Sequence, residues 1–151
     1  MILNHNNLGY ANLMNSKSQA QDTSREIAAL AVKAAKMAGA LIQKGAEDIS
    51  VLNIEQKTLH DYVSEIDRNS EAAIFGLVSQ AFPEHAFIGE EYGSLGGQQG
   101  EYTWIVDPLD GTTNFLRGIP HYAVSIAVAV GKQIHHAVIF DPAKNDLFTA
   151  S

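Results

Sequence analysis

The stretch Trp104-Ile-Val-Asp107-Pro-Leu-Asp110-Gly-Thr-Thr-Asn-Phe115 sets two carboxylates three residues apart and follows them at once with Gly-Thr-Thr. Magnesium is a hard cation that takes oxygen ligands, commonly one or two carboxylates together with water and substrate phosphate. Pro108 fixes φ and removes a donor, which helps aim the Leu109 carbonyl and the Asp110 carboxylate the same way. Gly111 allows close backbone approach, and the amides of Gly111, Thr112 and Thr113 are placed to hold phosphate at a helix start. A second acidic pair stands upstream in Phe87-Ile-Gly-Glu90-Glu91, at the end of a predicted strand that would lie beside the first. Asp-Pro and Asp-Gly are also ordinary turn pairs. Combined with Glu-Glu after an apolar strand, they favour a metal site with Glu90, Asp107 and Asp110 as oxygen donors, and a magnesium-dependent phosphatase as its chemistry.

Outward from that stretch, the spacing predicts strands over Tyr102 to Val106, Ala123 to Val130, Ile134 to Phe140 and Asp146 to Ala150, with turns at Gly131-Lys132 and Pro142 to Asn145. His85 to Gly89 and Ile49 to Ile54 read as further strands, and Gly93 to Gly100 as a flexible loop. Thr23-Ser-Arg-Glu26 fits a capping box opening a helix to about Lys44, with Gly45 as its C-cap. Ile27, Leu30, Ala31, Ala34, Ala38, Leu41 and Ile42 form its apolar stripe. Ser64-Glu-Ile-Asp67 opens a second helix with Ile74, Leu77, Val78 and Ala81 inward, ended by Pro83. Met1 to Asp22, rich in Asn, Ser and Gln, is expected to be a flexible leader, with Met14 as an alternative start. The fold class is α+β: two N-terminal helices packed on a largely antiparallel sheet.

Composition narrows the function. The chain has 151 residues, enough for one domain with a real core, and a net charge of −7 with no basic cluster. Nucleic acid held by phosphate neutralisation is therefore disfavoured, and an acidic protein handling phosphate esters needs a cation between them. With no cysteine, disulfides and thiolate metal sites are ruled out. No apolar run reaches the roughly 18 residues of a membrane span, and no signal-peptide pattern opens the chain, so the cytoplasm is the expected compartment. His85, His121, His135 and His136 suit packing or surface roles, because magnesium prefers oxygen. Trp104 and Phe115 read as core anchors.

Three separated elements, Lys57-x3-Asp61-x5-Asp67, Gly89-Glu-Glu91 and Asp107-Pro-Leu-Asp-Gly-Thr-Thr-Asn-Phe115, together resemble the inositol monophosphatase family in order and spacing. Ile119 to Val128 and Asp141 to Thr149 resemble its bacterial branch that includes the extragenic suppressor protein. The resemblance covers about Ser24 to Ser151 and implies the first half of a layered αβαβα sugar-phosphatase fold. It implies that Glu90, Asp107 and the Leu109 carbonyl hold one Mg²⁺ and that Asp107 with Asp110 holds a second. Two such ions clamp the attacking and leaving oxygens of an in-line displacement. Thr112 paired with Asp67 is implied to orient the attacking water, Lys57 and Asp61 to line the site, and a small phosphorylated polyol such as inositol 1-phosphate to be the substrate. Related branches hydrolyse fructose 1,6-bisphosphate, phosphoadenosine phosphate or histidinol phosphate, and one member of the bacterial branch acts in transcription antitermination, so a protein-binding role stands as the alternative.

The family's second half contributes a Trp-Asp motif, whereas the one tryptophan here, Trp104, is followed by Ile. The chain is thus expected to be the N-terminal metal-binding portion of a longer phosphatase, with little turnover alone. Faces that should meet a second half would be exposed, and completion by self-association or by a separate chain is the other expectation.

Overall fold

Along β4 (Ala123–Val130), Val124, Ile126 and Val128 are buried while Ala123, Ser125 and Ala127 are only half-buried. This period-two alternation is that of a strand with one face on a core. The computed structural model describes residues 6–51, 56–97 and 101–151, with side chains described for 17–48, 63, 65–97 and 101–151. Around β4 stand β1 (Ala86–Gly89), β2 (Gly93–Gly96), β3 (Tyr102–Asp110), β5 (Gln133–Asp141) and β6 (Asp146–Ala150) in the order β2-β1-β3-β4-β5-β6. Two long helices, α1 (Asn6–Val51) and α2 (Gln56–Ala81), pack together, and a short α3 (Thr112–Leu116) follows β3.

Both long helices cover one face of the sheet. Ile27, Ala31, Ala34, Ala35, Ala38 and Ile42 of α1 join Ile74 and Val78 of α2, and Phe87, Trp104, Val106, Val124, Ile126, Val128, Val138 and Phe140 of the strands, in one core. The alanine-rich stripe lets α1 approach closely: a Cβ added at Gly39 would lie 2.5 Å from Cε1 of Phe140 on β5. Trp104 and Phe115 are 0% and 3% exposed, as expected of core anchors. On the opposite face Ile88, Ile105, Ile139 and Phe148 are exposed.

Several expectations need correction. Helix α1 begins at Asn6, so residues 6–22 of the expected leader carry helical backbone, continuous through the Thr23 capping box. Gly45 is no C-cap; it lies within α1, buried, where a Cβ would come 2.3 Å from Cδ1 of Ile66 on α2. The strand expected over Ile49 to Ile54 is helical through Val51, and its remainder lies outside the described residues. Helix α2 starts at Gln56 rather than Ser64, and Ala81 is exposed rather than inward. Gly93 to Gly96 of the expected loop form strand β2, paired antiparallel with β1.

The sheet is mixed rather than simply antiparallel. Because β2 folds back on one side of β1, the chain crosses over to place β3 on the other side, parallel to β1. The remaining neighbours, β3/β4, β4/β5 and β5/β6, are antiparallel.

Candidate active site

The parallel pairing of β1 and β3 is what brings the two acidic motifs together. Its register runs Ile88↔Ile105 and Gly89↔Val106, so the next residues, Glu90 and Asp107, come side by side at the same end of the two strands. An antiparallel pair would send the two chain ends in opposite directions. The two carboxyl groups are close enough for Glu90 to raise the Asp107 pKa.

Asp107 and Asp110 are three apart and would point to opposite faces of a regular strand. The register against β4 shifts between them: Asp107 faces Ser125 and Asp110 faces Ala123. One extra residue on β3 is thus accommodated, and a bulge of this kind re-aims side chains. Ser125 and Ala123 are two apart on β4, so Asp107 and Asp110 are returned to one side. Asp107 Oδ1 then accepts the Leu109 amide at 3.2 Å.

Gly111 follows with φ 96°, in the left-handed region, and a side chain there would meet the His121 carbonyl at 3.0 Å and Tyr122 Cα at 3.2 Å. Conformation and contact both require glycine at this step into α3. The Gly111 carbonyl accepts the Asn114 and Phe115 amides, and the first-turn amides of Thr112 and Thr113 precede that bonding. The Thr112 hydroxyl donates to the Leu109 carbonyl at 3.0 Å.

Asp67 comes from α2 and is 5% exposed, with Oδ1 buried and without a hydrogen-bond partner. Burial first, then the charges of Glu91, Asp107, Glu90 and Glu71, push its carboxyl up to about 7. Asp107 is likewise raised to about 7, by burial, by Glu90 and by Asp110, against a smaller lowering from the Leu109 amide. Burial and the crowding of like charges both favour the neutral carboxyl.

The donor chemistry fits a hard divalent ion: every candidate ligand is an oxygen, and the buried Asp67 Oδ1 beside them has no hydrogen-bond partner. Among the described residues no three Asp, Glu or His side chains are gathered tightly enough to enclose a metal. The arrangement is the Glu90–Asp107 pair, with Asp110 and Asp67 within electrostatic reach. Asp110 and Gly111 also line a cleft of about 410 Å³ with Asn114, His121, Tyr122 and Asp141. Lys57 and Asp61 fall within α2, and their side chains lie outside the described residues.

Glu71 was not singled out by sequence, yet it is a fully buried acid behind this site. A signal existed: Asp67, Glu71, Ile74 and Val78 fall at helical spacing on one stripe, so two acids continue an apolar face.

The sequence model described as the inositol monophosphatase family matches residues 23–151. Nus factor SuhB of Pseudomonas aeruginosa is 44% identical over 124 residues, which are 81% of this chain and 46% of that protein. The crystal structure of extragenic suppressor protein suhB from Bartonella henselae superposes with a TM-score of 0.72 at 39% identity, covering 83% of this chain and 48% of that one. The structure of an inositol monophosphatase from Anabaena (Nostoc) sp. PCC 7120 gives 0.68 at 33% identity, covering 84% and 44%. The chain therefore spans about half the length of the relatives it matches.

Proposed function

Because the chain belongs to the inositol monophosphatase family, we propose that it forms the metal-binding portion of a cytoplasmic Mg²⁺-dependent phosphatase of small phosphate monoesters, such as inositol 1-phosphate. The observation that carries this reading is the crowded, metal-ready acid pair Glu90 and Asp107, with Asp67 raised to about 7 beside it.

Glu90, Asp107, the Leu109 carbonyl and Asp110 would hold Mg²⁺. When bound, the ion would supply charge neutralisation for phosphate and acidify a coordinated water. Asp67, inward and unpartnered at Oδ1, is suited to take a proton from an attacking water near neutral pH. Thr112, whose hydroxyl is fixed on the Leu109 carbonyl, would orient that water from the motif side. The amides of Gly111, Thr112 and Thr113 would bind phosphate oxygens, and the polar groups of the adjoining cleft, Asn114, His121 and Asp141, would meet polyol hydroxyls. Lys57 and Asp61 would line the site from α2.

The test is phosphate release from inositol 1-phosphate by the purified chain, with Mg²⁺ and with EDTA, beside Asp107→Asn. Little turnover is expected without a second half, and turnover restored by a complementary C-terminal chain should vanish in Asp107→Asn. Full activity in that variant would defeat the metal assignment.

A second reading, a protein-binding role in transcription antitermination, is favoured by one observation: the exposed sheet face of Ile88, Ile105, Ile139 and Phe148. The relative from Pseudomonas aeruginosa carries the name Nus factor. Absence of any antitermination factor from a pull-down with this chain would remove that reading.

A further inference from the structure

Of the two buried acids on the α2 stripe, only Asp67 has a role in the reading above. Glu71 is 0% exposed, and each of its carboxylate oxygens accepts a backbone N–H from the turn after β1. Glu91 N–H donates to Oε2 at 2.8 Å and Tyr92 N–H to Oε1 at 2.9 Å. Before the turn, the carboxylate occupies the place a side chain would take at Gly89, where a Cβ would lie 2.0 Å from Oε1 and 2.2 Å from Cδ. Gly89 is not in the left-handed region, so contact with Glu71, rather than backbone conformation, requires glycine there. Glu90 is thus gripped on both sides, by packing at the residue before it and by hydrogen bonds at the two residues after it.

We propose that Glu71 is the positioning residue of the metal site, clamping the Gly89–Tyr92 turn so that the Glu90 carboxylate stays beside Asp107 before any cation arrives. The inference rests on the metal-site reading given above. Glu90 and Asp107 carry like charge, and an unrestrained turn would let Glu90 swing away into solvent. Glu71 adds negative charge to the neighbourhood, raising Asp67 further, so its benefit is not charge neutralisation. What it supplies is two acceptors at the right separation. Glutamine has one acceptor oxygen and would turn an NH₂ donor toward the second amide.

Outer partners that orient a metal's ligands typically govern about 10–100-fold in metal affinity. The test uses the 151-residue chain, with Mn²⁺ as the probe in calorimetric titration, and NMR amide exchange in metal-free protein. Three proteins are compared: wild type, Glu71→Gln, and Gly89→Ala, which displaces the carboxylate without removing its charge. The Glu91 and Tyr92 amides should be protected in metal-free wild type, and both variants, folded, should bind Mn²⁺ about tenfold or more weakly. A residue of structural importance alone would lower the melting temperature and leave the affinity of the folded fraction unchanged. Unprotected Glu91 and Tyr92 amides in wild type overturn the inference whether or not the variants fold. So does a folded Glu71→Gln variant within about twofold of wild-type affinity. Wild type that binds Mn²⁺ while Glu71→Gln is unaffected defeats this inference alone; wild type that fails to bind defeats the metal-site reading and this inference with it.

Discussion

The indole N–H of Trp104 donates to Nδ1 of His85 at 3.0 Å, joining β3 to the residue that precedes β1. Trp104 is 0% exposed, so this bond satisfies a donor that water cannot reach. It also fixes His85 as neutral with its proton on Nε2, because an Nδ1 that accepts cannot carry a hydrogen. Burial lowers the His85 pKa below its ordinary value, against a smaller raising effect from Glu101. A depressed histidine contributes stability that is present above its unfolded pKa of about 6.5 and lost as pH falls through the lower folded value. The denaturation midpoint, followed by the fluorescence of the single tryptophan, should therefore drop from neutral to acidic pH more in wild type than in His85→Ala. That variant should also lose about 1–3 kcal/mol near neutral pH by orphaning the indole donor. Equal pH slopes in the two proteins would contradict the assignment.

Asp67 and Asp107 act in the opposite sense. Both are raised to about 7 in the folded chain. A raised carboxyl contributes stability that is full below its unfolded pKa of about 3.9 and lost as pH rises through the folded value. The metal-free chain should lose this contribution between about pH 4 and pH 7, while His85 and His136, both lowered, work against that trend in acid. Mg²⁺ should raise the melting temperature at pH 8 and much less at pH 5, and its binding near pH 6 should release protons. Thermal melts with Mg²⁺ or EDTA at the two pH values check this; an equal Mg²⁺ effect at both would show that the acids are not where the ion binds.

Two helical glycines should respond oppositely to alanine. At Gly39 an added Cβ meets the Phe140 ring at 2.5 Å and Pro142 Cβ at 3.2 Å. Phe140 is itself buried, so an overpacking cost of about 1–3 kcal/mol exceeds the ~1 kcal/mol of helix propensity that alanine brings. Gly76 on α2 has nothing within 4 Å of such a Cβ, so Gly76→Ala should stabilise by up to about 1 kcal/mol. Urea denaturation of both variants measures this, and a stabilised Gly39→Ala would show that α1 can move off β5.

Phe148 is 61% exposed on β6 beside Ile139, its register partner on β5, which is 47% exposed. Uncovered apolar residues on a sheet face and edge favour association. The chain should therefore self-associate at high concentration, and Phe148→Asp should shift sedimentation toward monomer. A monomeric wild type would argue against completion by a second copy.

The amino-acid sequence by itself determined the acidic motifs, the strands β4 and β6, and the core roles of Trp104 and Phe115. Each of these is a local property of neighbouring residues: strand-forming runs between turns, a turn pair, a large aromatic side chain. Tertiary structure decided what depends on an approaching partner. Gly45 looks like a helix end until Ile66 of α2 arrives against it, and α1 continues because packing outweighs a modest propensity cost. Gly93 to Gly96 become a strand only because β1 offers an edge to pair with. The parallel run of β1 and β3 comes from the crossover between them, and with it the meeting of Glu90 and Asp107. Glu71 is the plainest case: its partners are two backbone amides 20 and 21 residues away, and backbone donors leave no residue-type signature in a sequence.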